Sequence, residues 1–247
     1  MIAAGCIGVA AIAAAGIWLA LRDTAEPVEV DEAVTSFRGE TTGTPGESPI
    51  PEGLYVYATE GYERTDALTG VTHRYPARST ITVAAADCGV RLTWRVLEGR
   101  STAWTYCVTD DGWELRTQDE RHTFFGSTQA TTYTCESTPI LPSDRSIDSW
   151  PVTCTTGDAD ETGEARVVPA ARIRVGDSSV AVRHVRKATS FSGAIRGSAR
   201  HDFSFHEGSG LPVRVAMRSD TTSDSPIGDV AYQEAVTLTL LSLEPRR

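Results

Sequence analysis

Hydrophobic and polar positions follow three different rhythms along this chain. Residues 2–21 form an apolar run without a single charge. At about 1.5 Å per residue such a run spans roughly 30 Å as a helix, the hydrocarbon thickness of a bilayer. Trp18 stands near one end, where an indole favours the interface, and Arg22 follows as a charged stop. The length of the run and the lack of a charged segment before it favour a retained anchor over a cleavable signal. Residues 23–52 are polar and read as a linker. Within them, Val30, Ala33, Val34 and Phe37 recur at helical spacing and predict a short helix over 28–37. The stretch 38–53, rich in Gly, Pro, Ser and Thr, predicts an extended connection.

From Leu54 the period becomes two, and 53–247 reads as one β ectodomain. Cys88, Val90, Leu92, Trp94 and Val96 alternate with Gly89, Arg91, Thr93 and Arg95, a half-buried strand with its arginines toward water. Asp110-Asp111-Gly112 separates 101–109 from 113–120 and predicts a hairpin. Further strands are predicted around Ile173 and Val175, over 180–187 with His184 facing inward beside Val180 and Val182, around Phe203 and Phe205, around Val213 to Met217, and from Tyr232 to Leu240. About ten strands joined by hairpins predict a mainly β fold: a large antiparallel curved sheet, half-barrel-like, carried by one N-terminal transmembrane helix.

Cysteine placement bears on the compartment. Beyond the apolar run lie Cys88, Cys107, Cys135 and Cys154, with equal spacing from first to second and from third to fourth. Four cysteines admit three pairings, and the equal spacing favours the two sequential ones, each clipping a hairpin-sized loop. Paired cysteines belong to an oxidising compartment. They place the ectodomain outside the cytoplasm, although Arg22 taken alone favours the opposite orientation. Zinc is disfavoured because CxxC and HxxxH spacings are absent. Cys6 sits inside the apolar run without the polar tether that a lipidated cysteine needs.

Trp94, Trp104, Trp113 and Trp150 cluster around the cysteines in sequence. They are read first as core aromatics and second as the lining of a ligand cavity. The charge balance is acidic, 33 Asp+Glu against 23 Lys+Arg, which disfavours nucleic acid as a partner. Lys187 is the only lysine, a bias consistent with GC-rich coding. No Gly-x-Ser-x-Gly elbow occurs, and no histidine has an evident nucleophile beside it. His201 and His206 fall on opposite faces of a regular strand. The acidic run 158–164 copies the first half of a calcium loop, but Pro169 stands where the bidentate acid belongs, so it reads as a solvated loop.

Gly53-Leu-Tyr-Val-Tyr, His73-Arg-Tyr-Pro76, Cys88-Gly-Val and Gly210-Leu-Pro-Val-Arg214 resemble a family of actinobacterial membrane-anchored extracytoplasmic proteins without an assigned function. The Gly210–Arg214 turn is also similar to that of LolA/LppX-like lipoprotein carriers. That resemblance implies a half-barrel over an apolar cavity. The expected function is therefore a membrane-tethered, single-pass envelope domain without catalysis or cofactor, binding a protein or wall component. The alternative is a carrier or sensor of a lipid-like ligand.

Overall fold

The computed structural model describes residues 25–40, 50–68, 70–169, 172–225 and 228–247. The apolar segment 1–22 lies outside them. Among the described residues no helix is long and apolar enough to cross a membrane. The helix α1 (Val30–Glu40) falls where helical spacing predicts it. Its Ala33 and Val34 pack on Leu54 of the first strand, joined by Val28, Val30 and Val56. A β-bridge from Pro27 to Leu97 holds the segment before it, so much of the stretch read as linker is seated against the β domain.

The strands follow in a meander. The first stretch holds β1 (Gly53–Thr65), β2 (Val71–Arg74), β3 (Arg78–Ala86), β4 (Gly89–Leu97) and β5 (Arg100–Thr109). Next come β6 (Gly112–Phe124), β7 (Ser127–Pro142), β8 (Ser149–Thr155) and β9 (Ala159–Val168). A side hairpin, β10 (Ile173–Val175) with β11 (Ser178–Val180), leads to β12 (Val182–Gly193) and β13 (Ile195–His206). β14 (Pro212–Ser223) and β15 (Val230–Leu240) complete the strands of the described residues. β2 and β3 pair with successive halves of one edge of β1 and together act as one stave. The other edge of β1 pairs with β15, from Tyr57 opposite Leu240 to Thr65 opposite Tyr232.

That last pairing corrects the half-barrel expectation. The antiparallel sheet closes into a 12-strand barrel, and closure leaves neither terminal strand with a row of unpaired backbone groups. Gly61 lies in the closing seam, where an added Cβ would overlap the Ala235 carbonyl and the Val236 backbone. The absent side chain lets β1 and β15 approach there.

Alternation sorts the residues into an outer and an inner wall. Charged groups such as Glu60, Arg64, Arg74, Arg95, Arg116 and Arg121 are exposed on the outer wall, the reverse of the apolar band that a lipid-facing barrel carries. Twelve staves enclose more space than the eight that ordinary side chains fill. Large residues occupy it: Trp94, Arg100, Tyr55, Tyr57, Tyr106, Tyr133, Lys187 and Phe205 are among the largest fully buried side chains.

Both disulfides take the sequential pairing favoured by spacing. Cys135 and Cys154 face each other directly across β7 and β8, their Cα atoms 4.0 Å apart. Cys88 and Cys107 join the β3–β4 turn to β5 at a Cα separation of 4.7 Å. Two smaller expectations change. The acidic run 158–164 is mostly strand β9, not a loop, and its Glu161 is fully buried. His184 points outward, because the inward phase of β12 resumes at Val185, Lys187 and Thr189. It is semi-buried and bonds Asp202 at 3.2 Å.

Candidate functional site

The inner wall has two halves of opposite character. Where β1 begins and β15 ends it is apolar, with Tyr55, Ile81, Leu92, Trp104, Phe205, Val213 and Leu240 in one core. Where β1 ends and β15 begins it is polar. Glu63, His73, Arg100, Gln118, Glu161, Lys187, Thr189, His201 and Glu234 all lie buried there. Each sits at an inward position of its strand, so the alternation that fills the apolar half also drives these groups inside.

These groups hold one another. Arg100 donates from Nε to Glu234 Oε1 at 3.1 Å and from Nη2 to Oε2 at 2.8 Å, a bidentate pair. Its guanidinium lies 5.1 Å from the centre of the Trp94 ring, and Tyr75 donates its hydroxyl to Glu234. Glu63 meets His73 Nδ1 at 3.0 Å and His122 Nδ1 at 3.3 Å. Across the interior, Lys187 Nζ lies 2.8 Å from Glu161 Oε1, which also accepts from Thr189 at 2.8 Å. Glu161 Oε2, His201 Nδ1 and Gln118 Oε1 are buried without a hydrogen-bond partner among the described residues.

Electrostatics follow from that packing. Burial opposes the charge on Glu63, but hydrogen bonds from His122 and His73, with Arg100 nearby, bring its pKa down to about 2. Burial likewise opposes the charge on Glu161, and Lys187 outweighs it, so the pKa falls. His122 is raised: burial and Arg100 disfavour its proton, and the Glu120 and Glu63 hydrogen bonds outweigh them. His201, buried beside Lys187, is lowered to about 4. A carboxylate held near 2 is a weak general base, and the network's evident work is mutual charge compensation.

The four tryptophans read from the sequence are all buried in the hydrophobic core. Trp94 is 0% exposed and Trp113, the most exposed of them, 9%. Trp94 donates to Ser79 at 2.9 Å. Trp104 packs edge-on to Phe203 at 6.1 Å, and Trp113 lies 6.0 Å from Tyr106. Trp150 donates to the Pro139 carbonyl. Their surroundings match the core reading. The polar half of the interior escaped the sequence reading. Its signal lay in the phase of single residues: Glu63 continues the inward series of Tyr55 and Tyr57, and Glu234 that of Leu238 and Leu240.

The outer wall carries a second arrangement. Strand register places Arg74, Tyr62, Ala235, Arg218, Arg200 and Ala188 in one row across β2, β1, β15, β14, β13 and β12. Small residues at Gly61, Ala77, Ala216 and Ala235 lower the floor beside the arginines and leave a groove of about 800 Å³. A second groove of about 490 Å³ continues from it over Gly163, Ala188 and Ala199, and Arg200 and Arg218 line both. Glu60, Asp202 and Asp220 also line these grooves. Asp202 accepts from Arg186 at 2.7 Å and from Arg200 Nε at 2.9 Å, and Asp220 accepts from Gln233 at 3.2 Å.

No protein-family model, no curated protein and no solved structure matches the chain.

Proposed function

We propose that this chain is a membrane-tethered extracytoplasmic binding domain without catalytic activity. Residues 1–22 anchor it in the cell membrane as a single pass, and the barrel's outer wall meets an envelope protein or wall component. The burial of the large inward side chains, Trp94, Arg100, Tyr106 and Tyr133 among them, is the observation that supports this reading. Buried tryptophans and mutually paired charges line the inner wall, which favours recognition at the outer wall and its grooves. The two disulfides favour an oxidising compartment. The lipid-carrier alternative needs an open apolar cavity, and the buried packing of Trp94 and Trp104 argues against one.

The test uses the full chain purified in detergent. It is expected to sediment with isolated envelope fragments and to show the mass of bare protein in native mass spectrometry. Co-purifying lipid supports the carrier, and failure to sediment defeats the proposal.

A further inference from the structure

Arg218 and Arg200 stand directly opposite each other on β14 and β13. Like charges in facing positions repel, and both side chains are exposed on the outer wall. Arg200 is tied through Nε to Asp202, which leaves its terminal nitrogens outside that bond. Arg218 makes no ion pair or side-chain hydrogen bond among the described residues, and neither does Arg74 at the far end of the same row. A planar anionic group between the two facing guanidiniums relieves the repulsion and meets two forked donors at once.

Two residues further along the strands runs a parallel row, Thr162, Ser190, Ser198, Asp220 and Gln233 on adjacent strands: three hydroxyls, then a carboxylate that accepts from the Gln233 amide at 3.2 Å. Thr162, Ser190 and Ser198 are exposed and make no side-chain hydrogen bond among the described residues. Four strand spacings separate Thr162 from Gln233, about 19 Å. The floor between the rows is cut low by Gly163 and Ala188. The facing arginines thus offer donors to an anion, while the hydroxyls of Thr162, Ser190 and Ser198 and the Asp220 carboxylate offer partners to ligand hydroxyls, with both rows running across the strands.

We infer that this trough binds a linear, hydroxyl-rich polymer carrying carboxylate or phosphate groups, an acidic glycan or polyol phosphate. The inference rests on the binding-domain reading and names the ligand class of its outer wall. An acidic peptide fits less well. Extended peptides dock by pairing with an open sheet edge, and the closed barrel has none at its seam. The acidic balance of the chain also disfavours nucleic acid.

The test titrates the full chain in detergent with polygalacturonate oligomers, a glycerol-phosphate polymer, neutral dextran and polyglutamate. Binding to at least one of the two anionic hydroxylated polymers is expected, and which of them binds decides between carboxylate and phosphate. The double variant R200Q/R218Q is expected to weaken that binding by about tenfold or more. S190V/S198V, which keeps every charge, weakens it too. R116Q/R145Q, which removes the same charge elsewhere on the surface, leaves it unchanged. Binding to neither anionic polymer overturns the inference, as does full binding by R200Q/R218Q or equal affinity for polyglutamate or dextran. Envelope fragments separate the two levels of the argument. Sedimentation that survives R200Q/R218Q defeats the trough and leaves the binding domain, whereas loss of sedimentation in the wild type defeats the wider reading.

Discussion

His201 and Glu63 sit in the same buried polar half of the barrel, yet acid acts on them at different pH. His201 has a pKa of about 4 in the folded chain, against roughly 6.5 when unfolded. Between those values the unfolded chain takes up a proton that the folded chain refuses. Stability present above about 6.5 is therefore lost as the pH falls toward 4, by about 3 kcal/mol at most. Glu63, at about 2 when folded, adds its own loss below its unfolded value near 4.3. His122 works the other way: its pKa is raised, so its contribution is full below about 6.5 and fades as the pH rises through its folded value. H201Q is expected to flatten the fall in stability between pH 6.5 and 4. Urea unfolding of wild type and variant at pH 7 and pH 4.5 checks this, and an equal acid loss in both would remove His201 from the account.

Strand phase was legible where a strand is regular and lost where it is not. The alternation over β4 gave its inward residues correctly, and Asp110-Asp111 marked the β5–β6 turn. The equal cysteine spacing favoured the bridges that form. His184 was mis-phased because Val180 belongs to β11, a separate hairpin, and Val182, though buried, opens β12 three residues before its regular inward phase sets in at Val185. Register shifts in β6 and β7 likewise break the simple count. Of the outer trough, no single strand gives a sign. Arg200 and Arg218 look like ordinary outward residues until register sets them face to face. Barrel closure was out of reach for the same reason, since it depends on β1 meeting β15 across most of the chain. Gly61 tests that seam. Gly61→Ala is expected to cost about 1–3 kcal/mol, because β1 and β15 must part to admit a methyl group. Gly157, with nothing within 4 Å of its added Cβ, is the matched control, and Gly157→Ala is expected to be near neutral. Thermal melts of the two variants measure the difference, and equal melting temperatures would mean the seam yields freely.

At the scale of the molecule, closure and the lone lysine combine into a probe. Lys187 is the only lysine in the chain, is 2% exposed and faces the interior of a barrel with no gap between β1 and β15. An amine-acylating reagent reaches it only when the staves separate, so its rate of modification reports the opening equilibrium of the whole barrel. Peptide mapping by mass spectrometry distinguishes Lys187 from the N-terminal amine. The Cys135–Cys154 bridge joins neighbouring staves directly across the sheet, and a clip closing a loop of about twenty residues contributes roughly 3 kcal/mol in the chain-entropy model. The double variant C135S/C154S is therefore expected to label at Lys187 about a hundredfold faster than the wild type, while its N-terminal amine labels at an unchanged rate. Rapid labelling of Lys187 in the oxidised wild type would mean that the polar half opens without the rest of the sheet. The interior charges would then be accessible groups, and the assignment of recognition to the outer wall would lose its main support.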